Sequence, residues 1–349
     1  MAEVVEKLNP TIHDVMAVMS PDGQLKENAI VNLLAETNEI LEDSVVVEAN
    51  NGDSNKEVIS TSLPGEALRY YNDVIKPEPG SFAAMTDFSA MFYRPVVIDK
   101  ALYELNGMRN RFLLAQSRPQ IEAINQAMAR SMIYGGTADG KDRMLGLAER
   151  YNTLTRKTDG ILPETAEYVL DAGGTSANLT SIWFVVWSYD NGVYTFYPKG
   201  TKAGLQQGAV VEDDTMAVGG GYMPGIKTSF SWASGLVVKD LRQVVRICNI
   251  DINTIESGKL ISLMIEASER LHNTSTGRPA IYMNRKVRTK LRQDIVANRQ
   301  LGAMFDYSSA KPRLEGIEGR KIMSFDEMPI RRVDHDFASL NTFQSRFGR

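Results

Sequence analysis

The run Ile-Trp-Phe-Val-Val-Trp at residues 182–187 limits the fold more than any other part of this sequence. β-Branched and aromatic residues favour a pleated strand. In a strand, Ile182, Phe184 and Val186 point one way and Trp183, Val185 and Trp187 the other. Both faces are apolar, so both need cover, and the strand belongs inside a layered structure. The run is far too short to span a bilayer. Asp190-Asn191-Gly192 follows it. Asn-Gly tolerates the positive φ angles of a tight turn, so a buried hairpin is expected, with residues 193–197 as the returning strand before Pro198.

Gly173 and Gly174 stand before this strand and raise the question of a phosphate loop. Such a loop needs glycines that open a helix, whose N-terminal N–H groups then converge on the anion. Here the glycines lead into a strand, and no Walker pattern is present. The segment Gly-Gly-Gly-Tyr-Met-Pro-Gly at residues 219–225 opens no evident helix and reads as a mobile loop. The three histidines, His13, His272 and His335, are too scattered for a metal cluster. His335 lies between Asp334 and Asp336 but has no nucleophile motif to serve, and it reads as part of a solvated tail. No Gly-x-Ser-x-Gly elbow occurs. The single cysteine, Cys248, cannot form an internal disulfide and reads as a small buried side chain. No catalytic, cofactor-binding or metal-ligating residue is assigned, and no enzyme activity or cofactor is expected.

Around the strand the chain reads as α+β without regular βαβ alternation. Leu25, Ile30, Leu33, Leu34, Ile40 and Leu41 recur at helical spacing near the N-terminus. Residues 45–98 begin with two β-prone runs around a polar turn at residues 50–55 and end in another β-prone run. Pro64, Pro77 and Pro79 lie between, and the region has no core of its own. A helix is expected over residues 117–134, with Ser117 and Gln120 at capping-box spacing and Pro119 in the first turn. Ile121, Ile124, Met128 and Met132 form its apolar stripe, and Gly135 and Gly136 end it. Residues 151–251 are β-rich. Two more helices follow: one carries Leu260, Leu263, Met264, Ala267 and Leu271, the other Val287, Leu291 and Ile295. A final strand and turn close the described pattern.

With 349 residues the chain can form one large domain or two ordinary ones. A net charge of -4 argues against a protein that lives by gripping nucleic acid. Arg285, Lys286, Arg288, Lys290 and Arg292 do cluster on one helix. No aromatic residue interleaves them, and they read as a solvated face. The opening residues are acidic and broken by Pro10, so no secretory segment is expected; the chain reads as soluble and made in a reducing cytoplasm.

Six segments in order carry a family resemblance: ETNEILEDSVVVE (residues 36–48), LGLAERYNTL (145–154), DAGGTSANLTSIWFVVWS (171–188), YPKGTKAGLQ (197–206), WASGLVVKDLRQVVRICNI (232–250) and AIYMN (280–284). On these the chain resembles the major capsid proteins of tailed bacteriophages with the HK-ninety-seven-like fold, and within them the epsilon-fifteen-type podovirus-like subgroup.

The resemblance implies an N-terminal arm at residues 1–44 and an extended β loop at 45–98. It implies a peripheral domain at 99–170 with the spine helix at 117–134, an axial domain with interleaved peripheral strands at 171–320, and a C-terminal return to the peripheral domain at 321–349. It further implies self-assembly into the hexamers and pentamers of an icosahedral head enclosing double-stranded DNA, with only non-specific DNA contact. A scaffolding protein, a portal and a decoration protein are the expected partners, in a virion head assembled in the host cytoplasm without a membrane. The turn NNGDSN (residues 50–55) departs from the proline-containing loop tip of related proteins, and no crosslinking lysine–asparagine pair is assigned. Two alternatives are an encapsulin-like nanocompartment shell of the same fold and, from another class, a soluble hydrolase or nucleotide-binding enzyme.

Overall fold

A computed structural model describes residues 39–62, 70–72, 81–104, 109–136, 144–154, 165–176, 179–216, 222–256, 258–297, 305–306 and 323–333. The chain divides into two compact units. One contains Met91–Met128 and Lys202–Ala233; the other contains Glu36–Ala90, Ala129–Thr201 and Ser234–Arg349.

The larger unit is built on the strand that the sequence singles out, β6 (Thr180–Trp187), in which every residue is buried. Strand β12 (Arg278–Met283) pairs antiparallel with one edge of β6, and β11 (Val244–Ile250) pairs antiparallel with it as well. The short β5 (Val169–Asp171) runs parallel to β11. Beyond β12 come β15 (Met328–Arg332), β14 (Ser324–Phe325) and β13 (Phe305–Asp306).

Both faces of β6 are covered, as its composition demands. Ile182, Phe184 and Val186 share one buried core with the apolar stripes of two helices. Leu260, Ile261, Met264 and Ala267 come from Lys259–Arg270, and Val287, Leu291 and Ile295 from Arg285–Ala297. On the other face, Trp183 meets the Tyr151 ring edge-on at 6.5 Å, and Trp187 meets Tyr282 in the same way at 6.5 Å. The Arg246 guanidinium lies 4.9 Å over the Trp183 ring. Tyr151 donates to the Leu241 carbonyl at 2.6 Å, and Trp187 Nε1 donates to Tyr282 Oη at 2.7 Å, so these polar tips are satisfied inside the core.

The expected hairpin after β6 does not form. Strand β7 (Val193–Tyr197) touches β6 through a single bridge, Trp187 with Val193. With β11 and β12 both paired to β6, β7 turns away to pair with β1 (Val46–Glu48) and with residues 235–238 of β10 (Tyr222–Val238). The turn also uses its glycine differently from the expectation. Gly192 is not among the residues with positive φ. A Cβ at Gly192 would lie 2.5 Å from the Val186 carbonyl oxygen, so glycine is required there for close approach.

Helix α1 (Ile40–Asp43) and β1 precede a separate two-stranded antiparallel sheet made of β2 (Ser54–Ser62) and β3 (Ser81–Phe88). In the smaller unit, β8 (Gln206–Gln207) and β9 (Val211–Met216) pair antiparallel with the first part of β10. There Val96 and Ile98 from β4 (Ala90–Asp99) pack with Phe230 and with Leu113 and Ile124 of a long helix. After α2 (Lys100–Glu104), that helix, α3, runs Arg109–Tyr134 and begins eight residues before the expected start. Ser117 does not cap it: its hydroxyl donates to the Leu113 carbonyl at 2.7 Å, a bond made within the helix. Pro119 lies inside the helix on its exposed side, where water can serve the carbonyl that proline cannot bond. The remaining helices are α4 (Leu147–Arg150), α5 (Lys259–Arg270) and α6 (Arg285–Ala297). The expected N-terminal helix positions Leu25 to Leu34, the prolines at 64, 77 and 79, Gly219, His13 and His335 lie outside the described residues; of the loop expected at 219–225, residues 222–225 instead open β10 and pair with residues 213–216 of β9.

Candidate functional site

The two-stranded sheet β2–β3 is the feature that most needs explaining. An isolated two-stranded hairpin is marginal in water, and a sheet edge is a place where another chain can pair. Its register places Lys56 opposite Thr86 and Val58 opposite Ala84, with Phe82 and Phe88 on the same face. All of these are exposed; Val58 is 62% and Phe82 72% accessible. Tyr70 and Tyr71, between the strands, are exposed too. A run of exposed apolar side chains of this kind marks a surface that another molecule covers.

The opposite face of the sheet is polar at its base and is fastened to the body. Asn55 and Asp87 are direct cross-strand partners, and both are buried. Asn55 Nδ2 donates to Tyr194 Oη at 2.8 Å, and Tyr194 Oη donates to Glu57 Oε1 at 2.6 Å. Burial, together with that bond to Glu57, holds the Tyr194 phenol well above its ordinary value. Lys239 Nζ lies 3.9 Å from Glu57 Oε2 and 5.4 Å from the centre of the Tyr189 ring. Arg150 Nη2 donates to Asp87 Oδ1 at 2.6 Å and to the Leu236 carbonyl at 3.1 Å. Burial outweighs the attraction of Arg150 and holds the Asp87 carboxyl above its ordinary value.

The turn into β2 is tied down as well. Gly52 takes a φ of 59°, and its carbonyl accepts from Lys199 N at 2.8 Å. The Asn50 side chain bonds both the N–H and the carbonyl of Lys56, at 2.9 and 2.7 Å, and so acts as a short strand partner. The base of the hairpin is therefore fixed, and its outer face is presented.

A second fastening holds the chain just before β1. Asp43 accepts from Tyr282 Oη at 2.9 Å and from Arg331 Nη2 at 2.7 Å, and Ile40 is fully buried. The Arg332 N–H donates to Glu39 Oε2 at 3.3 Å. Residues 39–43 are thus locked onto β12 and β15.

Residues weighed for chemistry fall elsewhere. Cys248 is buried in β11, and burial pushes its thiol above the ordinary value. Gly173 has a φ of 78°, while Gly174 packs so closely that a Cβ would lie 2.5 Å from the Asn249 carbonyl oxygen; both are architectural. Among the described residues no group of three or more His, Cys, Asp and Glu could hold a metal ion. No described helix is long and apolar enough to cross a membrane. Sequence reading missed the polar seam of Asn55, Glu57, Asp87, Arg150 and Tyr194. Its only local trace is the alternation of Asn55, Glu57 and Ile59 with Lys56 and Val58, which shows two unlike faces but not what either one meets.

Comparison with known proteins agrees with a surface built for assembly. The family described as Major capsid protein GP7 matches residues 20–338. A search of curated proteins returned no match. The chain is 29% identical to the capsid protein in the structure of bacteriophage Epsilon15, over 95% of this chain and 97% of that one, with a TM-score of 0.70. The capsid of bacteriophage JBD30 shares the fold at 9% identity and a TM-score of 0.50, over 94% of this chain and 99% of that one. An encapsulin complex from Synechococcus elongatus aligns at 9% identity and a TM-score of 0.41, over 64% of this chain and 90% of that one, too remote to bear on function. The mixed helix and strand architecture is the HK-ninety-seven-like fold. The chain belongs to the Major capsid protein GP7 family, and its role is structural: it is the major capsid protein of a tailed bacteriophage.

Proposed function

We propose that the subunit assembles as hexamers and pentamers into an icosahedral head around double-stranded DNA, and that the β2–β3 hairpin lies across a neighbouring subunit. The observation that carries this reading is the contrast between the two faces of the hairpin. Its base is held by buried polar bonds, while Val58, Phe82, Ala84 and Phe88 are presented to the outside. A neighbour that covers this face removes apolar area from water, worth roughly 25 cal/mol per Å². Individual contacts of this kind are weak, but each subunit has several neighbours and a closed shell engages them all together.

In this reading residues 1–44 are the arm, 45–98 contain the extended loop, and 99–170 belong to the peripheral domain. Helix α3, over its full length Arg109–Tyr134, serves as the spine. Residues 171–320 supply the axial domain with interleaved peripheral strands, and 321–349 return to the peripheral domain. The locked segment Glu39–Asp43 is then where the arm leaves the body. A scaffolding protein, a portal and a decoration protein complete the head, which assembles in the host cytoplasm, and DNA contact is independent of sequence.

The test is the double variant Val58→Asp/Phe82→Asp in the full chain. Both side chains are exposed, so circular dichroism and thermal unfolding should match wild type. Electron microscopy should show capsomers or free subunits in place of closed shells. Normal shells from this variant would overturn the hairpin-on-neighbour assignment.

A further inference from the structure

The chain holds three Asn-Gly pairs, and the fold treats two of them in opposite ways. The third, Asn106-Gly107, lies outside the described residues. An asparagine followed by glycine is open to self-modification. The glycine nitrogen can attack the asparagine side chain, and glycine has no Cβ to obstruct the approach. The nitrogen attacks once base has taken its N–H proton. In a folded chain, reactivity therefore depends on whether that N–H is bonded and buried or open to water.

At Asn191-Gly192 the nitrogen is committed. Gly192 is buried, and its N–H donates to the Ser188 carbonyl at 3.2 Å. A Cβ there would lie 2.5 Å from the Val186 carbonyl oxygen and 2.8 Å from the Ser188 nitrogen, so neighbouring backbone closes in on the site. At Asn51-Gly52 the reverse holds. Both residues are exposed, and the Gly52 N–H has no hydrogen-bond partner among the described residues. A Cβ at Gly52 would meet nothing within 4 Å. Asn51 and Ser54 exchange both backbone bonds, at 3.1 and 2.9 Å, around a two-residue turn. Gly52, with its φ of 59°, takes the first central position, which is the type II′ pattern. The Asn51 side chain makes a single bond, from Nδ2 to Ser54 Oγ at 3.1 Å.

We propose that Asn51 is a self-modification site that deamidates in the folded chain, while the fold protects Asn191. Hydroxide takes the Gly52 N–H proton, and the nitrogen attacks Asn51 Cγ. The Cγ–Nδ2 bond breaks, and ammonia leaves with a proton from water. The cyclic imide then adds one water at either carbonyl and opens to aspartate or isoaspartate. Both products carry a negative charge that Asn51 lacks, and both lose the donor to Ser54 Oγ. Isoaspartate also lengthens the backbone of a turn that has only two central residues. Asn51 stands at the foot of β2, four residues before the Asn55 that bonds Tyr194. The modification therefore acts on the fastening of the hairpin and not on its presented face.

The test holds the full wild-type chain at mildly alkaline pH, once native and once unfolded in urea. Peptide mapping by mass spectrometry reads the exchange of the amide NH2 for OH at each position, and isoaspartyl methyltransferase labelling reads isoaspartate. In the native chain Asn191 should convert at least about tenfold more slowly than Asn51, because its reaction waits for the turn to open locally. In urea that difference should vanish. Asn191 converting as fast as Asn51 in the native chain, or a native Asn51 that stays intact while the unfolded chain converts, overturns the proposal. A difference that persists in urea belongs to the local sequence and overturns the protective role of the fold.

Discussion

Replacing Asp87 with alanine removes one half of a buried ion pair and leaves the other half in place. The Arg150 and Asp87 side chains are 3% and 5% accessible and meet at 2.6 Å. Breaking such a pair from one side typically costs about 3–5 kcal/mol, because a buried charge loses its counter-ion. Arg150 keeps the Leu236 carbonyl at 3.1 Å and the Leu145 carbonyl at 3.4 Å, which places the expected cost at the lower end, about 3 kcal/mol. Domains are typically stable by only about 5–15 kcal/mol, so the effect is large. With a urea m-value of about 3 kcal/mol/M, the unfolding midpoint should fall by about 1 M.

The raised carboxyl of Asp87 adds a second arm to this prediction. Burial costs the charged form more than Arg150 returns. Exchanging both partners for apolar residues of similar size should therefore be close to neutral. The Asp87→Leu/Arg150→Met variant is expected within about 1 kcal/mol of wild type. The pH dependence has a defined sign. A carboxyl raised on folding binds more protons in the folded chain, so this group's contribution to stability falls as pH rises through the folded value. Asp87→Asn should remove that slope. A single Asp87→Ala variant within about 0.5 kcal/mol of wild type would refute the reasoning, as would a double variant as unstable as the two single changes added together.

Three further outcomes follow from the same packing. Tyr282→Phe removes the hydroxyl that accepts from Trp187 and donates to Asp43, and chemical denaturation should show a loss of about 1–3 kcal/mol; an unchanged midpoint contradicts the network. Gly235→Ala would set a Cβ 2.3 Å from the ring of the fully buried Phe196 and 3.0 Å from the Phe88 carbonyl oxygen, so a loss of about 1–3 kcal/mol is expected, and wild-type stability would show that the site yields. Cys248, buried with its thiol pushed up, should react with a thiol reagent only after unfolding; rapid labelling of the native chain would contradict its placement.

The parts of the fold readable from sequence were those set by local pattern. The doubly apolar strand at residues 182–187 is buried on both faces. The stripes of α5 and α6 face the core because three- and four-residue spacing puts their apolar side chains on one side. Pairing partners were not readable in the same way. Asn191-Gly192 permits a hairpin, but β11 and β12 are paired to β6, and those strands come from far along the chain. The start of α3 was misplaced because Ser117 and Pro119 resemble a helix beginning, while an exposed proline inside a long helix leaves no mark in the local sequence. The polar seam beneath β2–β3 joins residues 63 to 139 positions apart, from Asp87–Arg150 to Asn55–Tyr194, and no spacing rule reaches that far.

The most direct test of the central claim is cryo-electron microscopy of shells assembled from the full chain. The account predicts closed icosahedral particles in which each β2–β3 hairpin rests on an adjacent subunit, with Val58 and Phe82 buried at the contact. Particles with that face left in solvent, or a chain that remains a stable monomer under every assembly condition, would contradict it.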